Sequence, residues 1–100
     1  MTEKEFTDQV VDLAMMCGYL VHHDRGDMRQ RIQGHAGFPD LCMTNGPRLI
    51  FAELKVGKNK PTSDQARWLV FLAGRTVEVY LWRPEDMPAI TELLTAEDER

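Results

Sequence analysis

Three residues near the middle of the chain, Asp40, Glu53 and Lys55, have the side-chain types needed for metal-assisted hydrolysis. On a β-strand, Glu53 and Lys55 would point to one face while Leu54 pointed into the core. Two carboxylates held together repel each other and cost stability unless a cation lies between them. A few oxygen ligands suit Mg²⁺ or Mn²⁺, which would neutralise phosphate charge and lower the pKa of a bound water. Lys55 would orient that water or stabilise charge in the transition state.

A hairpin signal between the two carboxylates determines where Asp40 would lie. Residues 38–44 and 49–55 have the composition of strands, and the sequence Asn-Gly-Pro-Arg over 45–48 is typical of a turn. A four-residue loop would place Asp40 directly opposite Glu53. A two-residue loop would place it diagonally on the same face. Both registers bring the two carboxylates and the lysine to one end of the hairpin.

Spacing alone leaves an alternative open for this cluster. Asp40, Glu53 and Lys55 could be a cross-strand group on the protein surface, in which the lysine only pairs with the two acids. Such a pair contributes about 0.2–1 kcal/mol to stability and performs no chemistry.

The elements before the hairpin are a helix, a short strand and a long loop. Apolar residues at helical spacing predict a helix over residues 3–17. Thr2 and Glu5 form a capping-box sequence at its start, and Gly18 ends it. Residues 19–23 have the composition of a strand, and the polar residues 24–37 are predicted to form a loop of functional length.

The elements after the hairpin alternate between helix and strand. Thr62 and Gln65 make a second capping box, which begins a helix that ends before Gly74. Residues 76–82 alternate as a strand, and residues 85–94 predict a closing helix with Pro88 in its first turn. The order α-β-β-β-α-β-α predicts an α/β fold, with a mixed sheet flanked by helices.

The charge distribution permits a polyanionic ligand. The chain of 100 residues has a net charge of −4, but residues 22–75 hold nine Lys or Arg against five acids. The length and the absence of repeats or linkers predict a single domain over residues 1–100. No apolar run approaches about 18 residues, no signal peptide is evident, and Cys17 and Cys42 lack metal-site spacing. We therefore expect a cytoplasmic protein with reduced thiols and no membrane partner.

Three ordered motifs resemble the VRR-NUC family of the PD-(D/E)xK nuclease superfamily. They are Gly-Phe-Pro-Asp-Leu over 37–41, Phe-Ala-Glu-Leu-Lys over 51–55, and Gln65 with Trp68. The resemblance covers about residues 5–82. It departs from the family pattern at residues 61–64, where Pro-Thr-Ser-Asp replaces the more typical leucine, serine, proline and glutamate. The arginine-rich loop over 24–36 also aligns poorly.

The resemblance implies an endonuclease that cuts DNA phosphodiester bonds with Mg²⁺ or Mn²⁺. By position, Asp40 and Glu53 would bind the metal, the Leu54 carbonyl would be a third ligand, and Lys55 would be the catalytic lysine. Glu5 matches a first-helix glutamate that supports the metal, and Gln65 matches a residue of the catalytic site. Both also have a capping role that competes with the site role. Trp68 could stack on a base, but core packing is the favoured interpretation.

The cations that could hold DNA phosphates lie in two loops beside the active end. They are Arg29 and Arg31 in the first loop, with Arg25 nearby, and Lys58 and Lys60 in the second. Solvated loop charges are an equally good interpretation. The three histidines flank the first loop, and solvated or structural roles are favoured over DNA binding for them. They lack the spacing of a zinc site.

The family resemblance further implies a homodimer that recognises branched DNA, such as four-way junctions, by its structure. No base-reading module is evident in the sequence, and no nucleotide cofactor is implied. Two alternatives belong to other classes of protein. One is a module that binds nucleic acid without cutting it, and the other is a structural or regulatory partner protein. The paired carboxylates argue against the binding module, because such a module has no use for their repulsion.

Overall fold

Four strands form one mixed sheet in the computed structural model, which describes residues 1–23 and 33–96. Their order in the sheet is β1 (Leu20–His23), β2 (Leu41–Thr44), β3 (Leu49–Leu54) and β4 (Glu78–Trp82). β1 and β3 run antiparallel to β2, and β4 runs parallel to β3. Thr44 faces Leu49, which confirms the four-residue loop and excludes the diagonal register.

Three helices complete the predicted element order. They are α1 (Glu3–Met16), α2 (Ser63–Ala73) and α3 (Met87–Thr95), and a 3₁₀ turn over Pro84–Asp86 precedes α3. Both predicted capping boxes are present, at the starts of α1 and α2. The predicted α/β fold with a mixed sheet is confirmed.

Several predicted boundaries were wrong by a few residues. β2 begins at Leu41 rather than at residue 38, because Gly37 has a φ of 97° and Pro39 has no N–H to donate to a ladder. β4 begins at Glu78 rather than at residue 76, and the closing helix begins at Met87 after the 3₁₀ turn. The shorter β2 places Asp40 just outside the ladder, in a bend where its side chain is available.

One face of the sheet packs against α1 and α3 and forms the main core. Strand side chains alternate between faces, so every second residue of β2 and β3 points toward these helices. The core side chains there are at most 2% exposed: Phe6, Val10, Ala14, Leu41, Met43, Ile50, Ala52, Leu54, Ile90 and Leu94. The described side chains at the centre of this face are apolar, so their burial contributes to stability.

The second face of the sheet is only partly covered, by α2 and the segment before β2. Phe38 packs edge-to-face against Phe51 of β3 at 5.8 Å and against Trp68 of α2 at 5.1 Å between ring centroids. The Trp68 Nε1–H donates to the Ala36 carbonyl at 3.1 Å, so this half-buried tryptophan packs on the segment before β2 and not in the main core. No residue of α2 is buried. The helix is therefore attached along one edge and leaves apolar surface exposed.

A bidentate ion pair closes the end of the sheet away from Asp40. Arg48 donates to both carboxylate oxygens of Glu78, at 2.7 and 2.5 Å, and to the Leu93 carbonyl at 2.7 Å. The Tyr80 hydroxyl donates to Glu78 at 2.6 Å. The pair ties the hairpin, β4 and α3 together, a role that sequence reasoning did not assign to Arg48.

Two further observations concern the thiols and the helices of the described residues. Cys17 and Cys42 are both free thiols and are half-buried. Within residues 1–23 and 33–96, no helix combines the length and the hydropathy needed to cross a bilayer.

Candidate active site

Asp40 is held in place by the strand that carries the second carboxylate. Its Oδ2 accepts a hydrogen bond from the Leu54 backbone N–H at 2.9 Å. The β2–β3 ladder ends at the pair Leu41 and Ala52, so the Asp40 side chain continues the contact between the strands beyond the ladder. This bond anchors the Asp40 carboxylate at the carboxyl end of β3 and leaves its other oxygen for a further ligand.

Glu53 differs from the other described residues in having buried side-chain oxygens without a hydrogen-bond partner. Its side chain is 0% exposed, and neither carboxylate oxygen has a hydrogen-bond partner among the described residues. A buried carboxylate without a partner costs several kcal/mol, so proteins rarely retain one without a use. Nothing in the Phe51–Ala52–Glu53–Leu54 sequence indicates this burial, because a strand pattern does not say which face is covered.

The electrostatics of the pair favour a cation. Burial raises the pKa of Glu53 well above its ordinary value, and the adjacent Asp40 carboxyl raises it further. The Lys55 ammonium acts on the Glu53 pKa in the opposite direction and does not offset the other two effects. The ionised pair is thus unstable in the protein alone, and a divalent cation would reverse the balance.

Lys55 follows Glu53 on the same side of β3 and is only partly exposed. Its backbone N–H donates to the Trp82 carbonyl at 3.0 Å, so the β3–β4 pairing fixes its main chain. None of the ion pairs between described residues involves Lys55. With Glu53 fully buried as well, the alternative of a surface ion-pair cluster is wrong.

The Glu5 carboxylate is occupied by the helix cap. Its Oε1 accepts from the Thr2 N–H at 3.0 Å, and this backbone bond lowers the pKa of Glu5. Among the described residues, no three His, Cys, Asp or Glu side chains come together as metal ligands, so Glu5 does not join Asp40 and Glu53 in such a group. Its predicted metal role remains a prediction.

Glu3 is the first-helix acid whose charge reaches the pair. It contributes to raising the Glu53 pKa, although less than burial and Asp40 do. Glu3 continues the stripe of α1 that contains the buried Phe6 and Val10, whereas Glu5 lies on another side of the helix. Sequence reasoning missed Glu3 because the family resemblance assigned the first-helix position to Glu5. The buried stripe would have indicated Glu3.

Gln65 lies close to the segment that carries Asp40, but its side chain also serves as a cap. Its Oε1 accepts from the Thr62 N–H at 2.8 Å. A Cβ added to Gly37 would lie 2.6 Å from the Asp64 carbonyl carbon and 2.8 Å from the Gln65 nitrogen. Only glycine therefore allows the start of α2 to approach the 37–40 segment so closely. The catalytic role of Gln65 remains a prediction.

The structure describes the second predicted DNA-binding loop, but not residues 24–32 of the first. Lys58 and Lys60 are exposed in the loop that follows Lys55, and Arg83 anchors this loop by donating to the Gly57 carbonyl at 3.0 Å. Arg29 and Arg31, together with Arg25, lie outside the described residues. His22 and His23 are exposed at the end of β1, and His35 is exposed beside α2.

Comparison with solved structures confirms the predicted resemblance at the level of the fold. A VRR_NUC domain protein aligns over 98% of this chain and 93% of its own, with a TM-score of 0.62 and 20% sequence identity. The Holliday junction resolvase Hjc of Archaeoglobus fulgidus aligns over 78% of this chain with a TM-score of 0.49 and 24% identity, and this chain spans 64% of the resolvase. Neither a protein-family model nor a curated protein matches the sequence. The chain has the fold of a VRR-NUC domain.

Proposed function

We propose that this chain is a metal-dependent deoxyribonuclease that hydrolyses phosphodiester bonds of DNA. The observation that carries the proposal is Glu53, a buried carboxylate with no hydrogen-bond partner among the described residues, which lies beside a second carboxylate at the carboxyl end of a strand. A VRR-NUC fold that places Asp40, Glu53 and Lys55 at one end of the hairpin is consistent with this chemistry.

The donor set fits Mg²⁺ or Mn²⁺. Asp40 and Glu53 would hold the ion, and the Leu54 carbonyl would supply a further hard oxygen ligand. The bound ion would supply phosphate charge neutralisation and a water of lowered pKa. Asp40 is already oriented by the Leu54 N–H, so little reorganisation is needed at one ligand. Lys55 has no ion pair among the described residues, and its ammonium can orient the attacking water or stabilise charge on the phosphate.

Glu3 and Glu5 are the two candidates for the acid of α1 that supports the proposed metal site. We favour Glu3, because its charge acts on Glu53 while the Glu5 carboxylate caps α1. The two residues provide a matched pair of variants. Glu3→Gln should weaken the affinity for metal, whereas Glu5→Gln keeps a capping side chain and should leave it nearly unchanged. Isothermal titration calorimetry with Mn²⁺ distinguishes the two variants. A larger loss of Mn²⁺ affinity in Glu5→Gln than in Glu3→Gln would assign the role to Glu5.

Branched DNA as the substrate and a homodimer as the active form are finer parts of the proposal. Leu20 and Leu49 share the second face of the sheet through their common partner Thr44, and they are 77% and 37% exposed. They lie about 13 Å along the sheet from the Glu53 end. Self-association there would bury apolar surface and leave both active ends open for paired cuts.

A nicking assay tests the activity directly. Supercoiled plasmid and a four-way junction are incubated with Mg²⁺, Mn²⁺ or EDTA, with circular dichroism as the control for folding. We expect cleavage with either metal and none in EDTA, and faster cutting of the junction than of linear duplex. Asp40→Asn and Glu53→Gln should remain folded and lose detectable cleavage. A folded mutant that cuts at a near wild-type rate would place the active site elsewhere, and binding without cutting in all metals would favour the non-cutting module.

A further inference from the structure

The exposed side of α2 lines a pocket that the proposed catalytic site does not use. Its volume is about 330 Å³. Most of its wall comes from one helical stripe, and the remainder comes from the segment before β2. The lining residues are His35, Ala36, Asp64, Arg67, Trp68, Phe71, Leu72 and Arg75. Pockets of this size are within the range that holds small molecules or single chemical groups of a larger ligand.

The aromatic part of this pocket is open to solvent. Phe71 is 68% exposed, although it lies at helical spacing from Trp68, which packs against the domain. The Arg67 guanidinium lies over the Phe71 ring at 6.0 Å from its centroid. A large exposed aromatic ring beside an unpaired guanidinium is a common arrangement for stacking on the face of a nucleobase.

The charge of the pocket is opposite to that of the chain. The pocket lining contains two arginines, Arg67 and Arg75, and one acid, Asp64, whereas the whole chain has a net charge of −4. Neither arginine takes part in an ion pair among the described residues. The pocket therefore combines an apolar aromatic wall with free positive charge, which complements a ligand that carries both a ring and a phosphate.

The pocket adjoins the segment that carries a catalytic carboxylate. Trp68 bonds the Ala36 carbonyl and packs on Phe38, two residues before Asp40. The close approach of Gly37 to the start of α2 fixes this arrangement. A strand of DNA that reaches the Asp40 end could therefore extend toward α2 without leaving the same side of the sheet.

We propose that this pocket binds one unpaired nucleotide of the DNA substrate. The base stacks on Phe71 against the apolar wall, and its phosphates contact Arg67 and Arg75. A base inside a duplex has both faces covered, so only a nucleotide at a single-stranded extension, a gap or a branch can enter. The inference rests on the proposed function and specifies the feature of branched DNA that the protein selects.

The test compares binding of three DNA probes in Ca²⁺, which keeps the DNA uncut. The probes are a fluorescent duplex, the same duplex with a short single-stranded extension, and that duplex with an extension of abasic residues, which have phosphates but no bases. Phe71→Ala is the main variant. Val70→Ala is its matched control, because Val70 is 69% exposed on the same helix and does not line the pocket. Both side chains are exposed, so both variants should fold.

We expect the wild type to prefer the extended duplex, and Phe71→Ala to lose on the order of tenfold in affinity for it. Its affinity for the plain duplex and for the abasic probe should not change, and Val70→Ala should behave as the wild type. Arg75→Ala should weaken binding of both extended probes, because phosphate contacts do not need the base.

Two results would overturn the pocket assignment. One is equal wild-type affinity for the duplex and the extended duplex, or an equal loss for all probes in Phe71→Ala. The other is a change in sedimentation from dimer to monomer in Phe71→Ala but not in Val70→Ala, which would make the surface an interface between two copies. Cleavage in Mg²⁺ is assayed separately. If the protein binds the extended duplex in a base-dependent way but does not cleave DNA, the pocket assignment stands and the proposed nuclease function is wrong.

Discussion

Two glutamates on neighbouring parallel strands, Glu78 and Glu53, have opposite surroundings. Glu78 begins β4 and Glu53 lies near the end of β3, so they occupy opposite ends of the same parallel pair. Glu78 accepts two hydrogen bonds from Arg48 and one from Tyr80. Glu53 has no partner among the described residues and faces another acid, Asp40.

The pKa values of Glu78 and Glu53 shift in opposite directions because their surroundings differ. The Arg48 hydrogen bonds lower the pKa of Glu78, whose side chain is 29% exposed. Burial and Asp40 raise the pKa of Glu53, whose side chain is fully covered. Glu78 has a bonded counter-charge in Arg48, whereas Glu53 takes part in no ion pair among the described residues. The first is thus a structural contact, and the second is the carboxylate to which the proposed function assigns a metal ion.

Among the cations compared here, removing Lys55, which acts on Glu53, should have the largest effect on function. Lys55→Ala should lower the single-turnover cleavage rate on the order of 10²–10³-fold, which is typical for the loss of one preorganised transition-state donor. Metal affinity should change little, because the lysine is not a ligand. Rapid-quench kinetics at saturating Mn²⁺ and calorimetric titration measure the two quantities. A variant that loses metal binding but keeps its rate at saturation would contradict the assignment.

Removing the cation nearest to Glu78 should instead reduce stability. Arg48→Ala leaves Glu78 without its partner and frees the Leu93 carbonyl. We expect a loss of about 2–3 kcal/mol in the free energy of unfolding, less than for a fully buried pair. The melting temperature should fall on the order of 10 °C. Cleavage per folded molecule should be unchanged at low temperature. A lower cleavage rate in fully folded Arg48→Ala would mean that Arg48 also affects the catalytic site.

The two glutamates should also give opposite pH dependences of stability in EDTA. Because the Glu53 pKa is raised on folding, the folded state holds a proton that the unfolded state releases above its ordinary value of 4.5. The free energy of unfolding should therefore fall as pH rises above that value, by at most about 1.4 kcal/mol per pH unit. Glu78 has a lowered pKa, so its contribution is lost as pH falls below 4.5.

Urea denaturation across pH checks this prediction. Glu53→Gln should abolish the decline above pH 4.5 and raise metal-free stability near neutrality. Glu78→Gln should leave that decline in place and remove part of the loss in acid. A Glu53→Gln protein with the wild-type decline would mean that another group is responsible.

The smallest expected effect concerns two cations that form no ion pair with the described residues. Lys58 and Lys60 are exposed and take part in no ion pair among the described residues, unlike Arg48. If both contact phosphates, replacing both with Ala should reduce the slope of log affinity against log salt by about one to two units. Neutralising the acids at 97–99, which lie outside the described residues, should strengthen binding at low salt without altering the slope. An unchanged slope in the lysine variant would exclude this loop from the DNA surface.

Local patterns in the sequence were sufficient for the order of the elements and for the position of the hairpin turn. Capping boxes at Thr2 and Thr62 act within a few residues, so the sequence specifies them. The choice between a four-residue and a two-residue loop came from the structure. The i and i+2 spacing of Glu53 and Lys55 likewise predicted their common face. The boundary of β2 was wrong because Pro39 has no N–H to donate to the ladder and Gly37 has a positive φ. Of these two causes, only the Gly37 conformation is tied to the close approach of α2.

By itself, the sequence determined the order of elements, the position of the hairpin turn and the approach of Asp40 to Glu53 at one end of the hairpin. Each of these follows from contacts between residues close in the chain. Only the tertiary structure decided that Glu53 is buried without a partner, that Glu3 rather than Glu5 acts on it electrostatically, and that Arg48 pairs with Glu78. Burial and pairing depend on which helix covers which face of the sheet. Since that choice brings together residues distant in sequence, no local pattern records it.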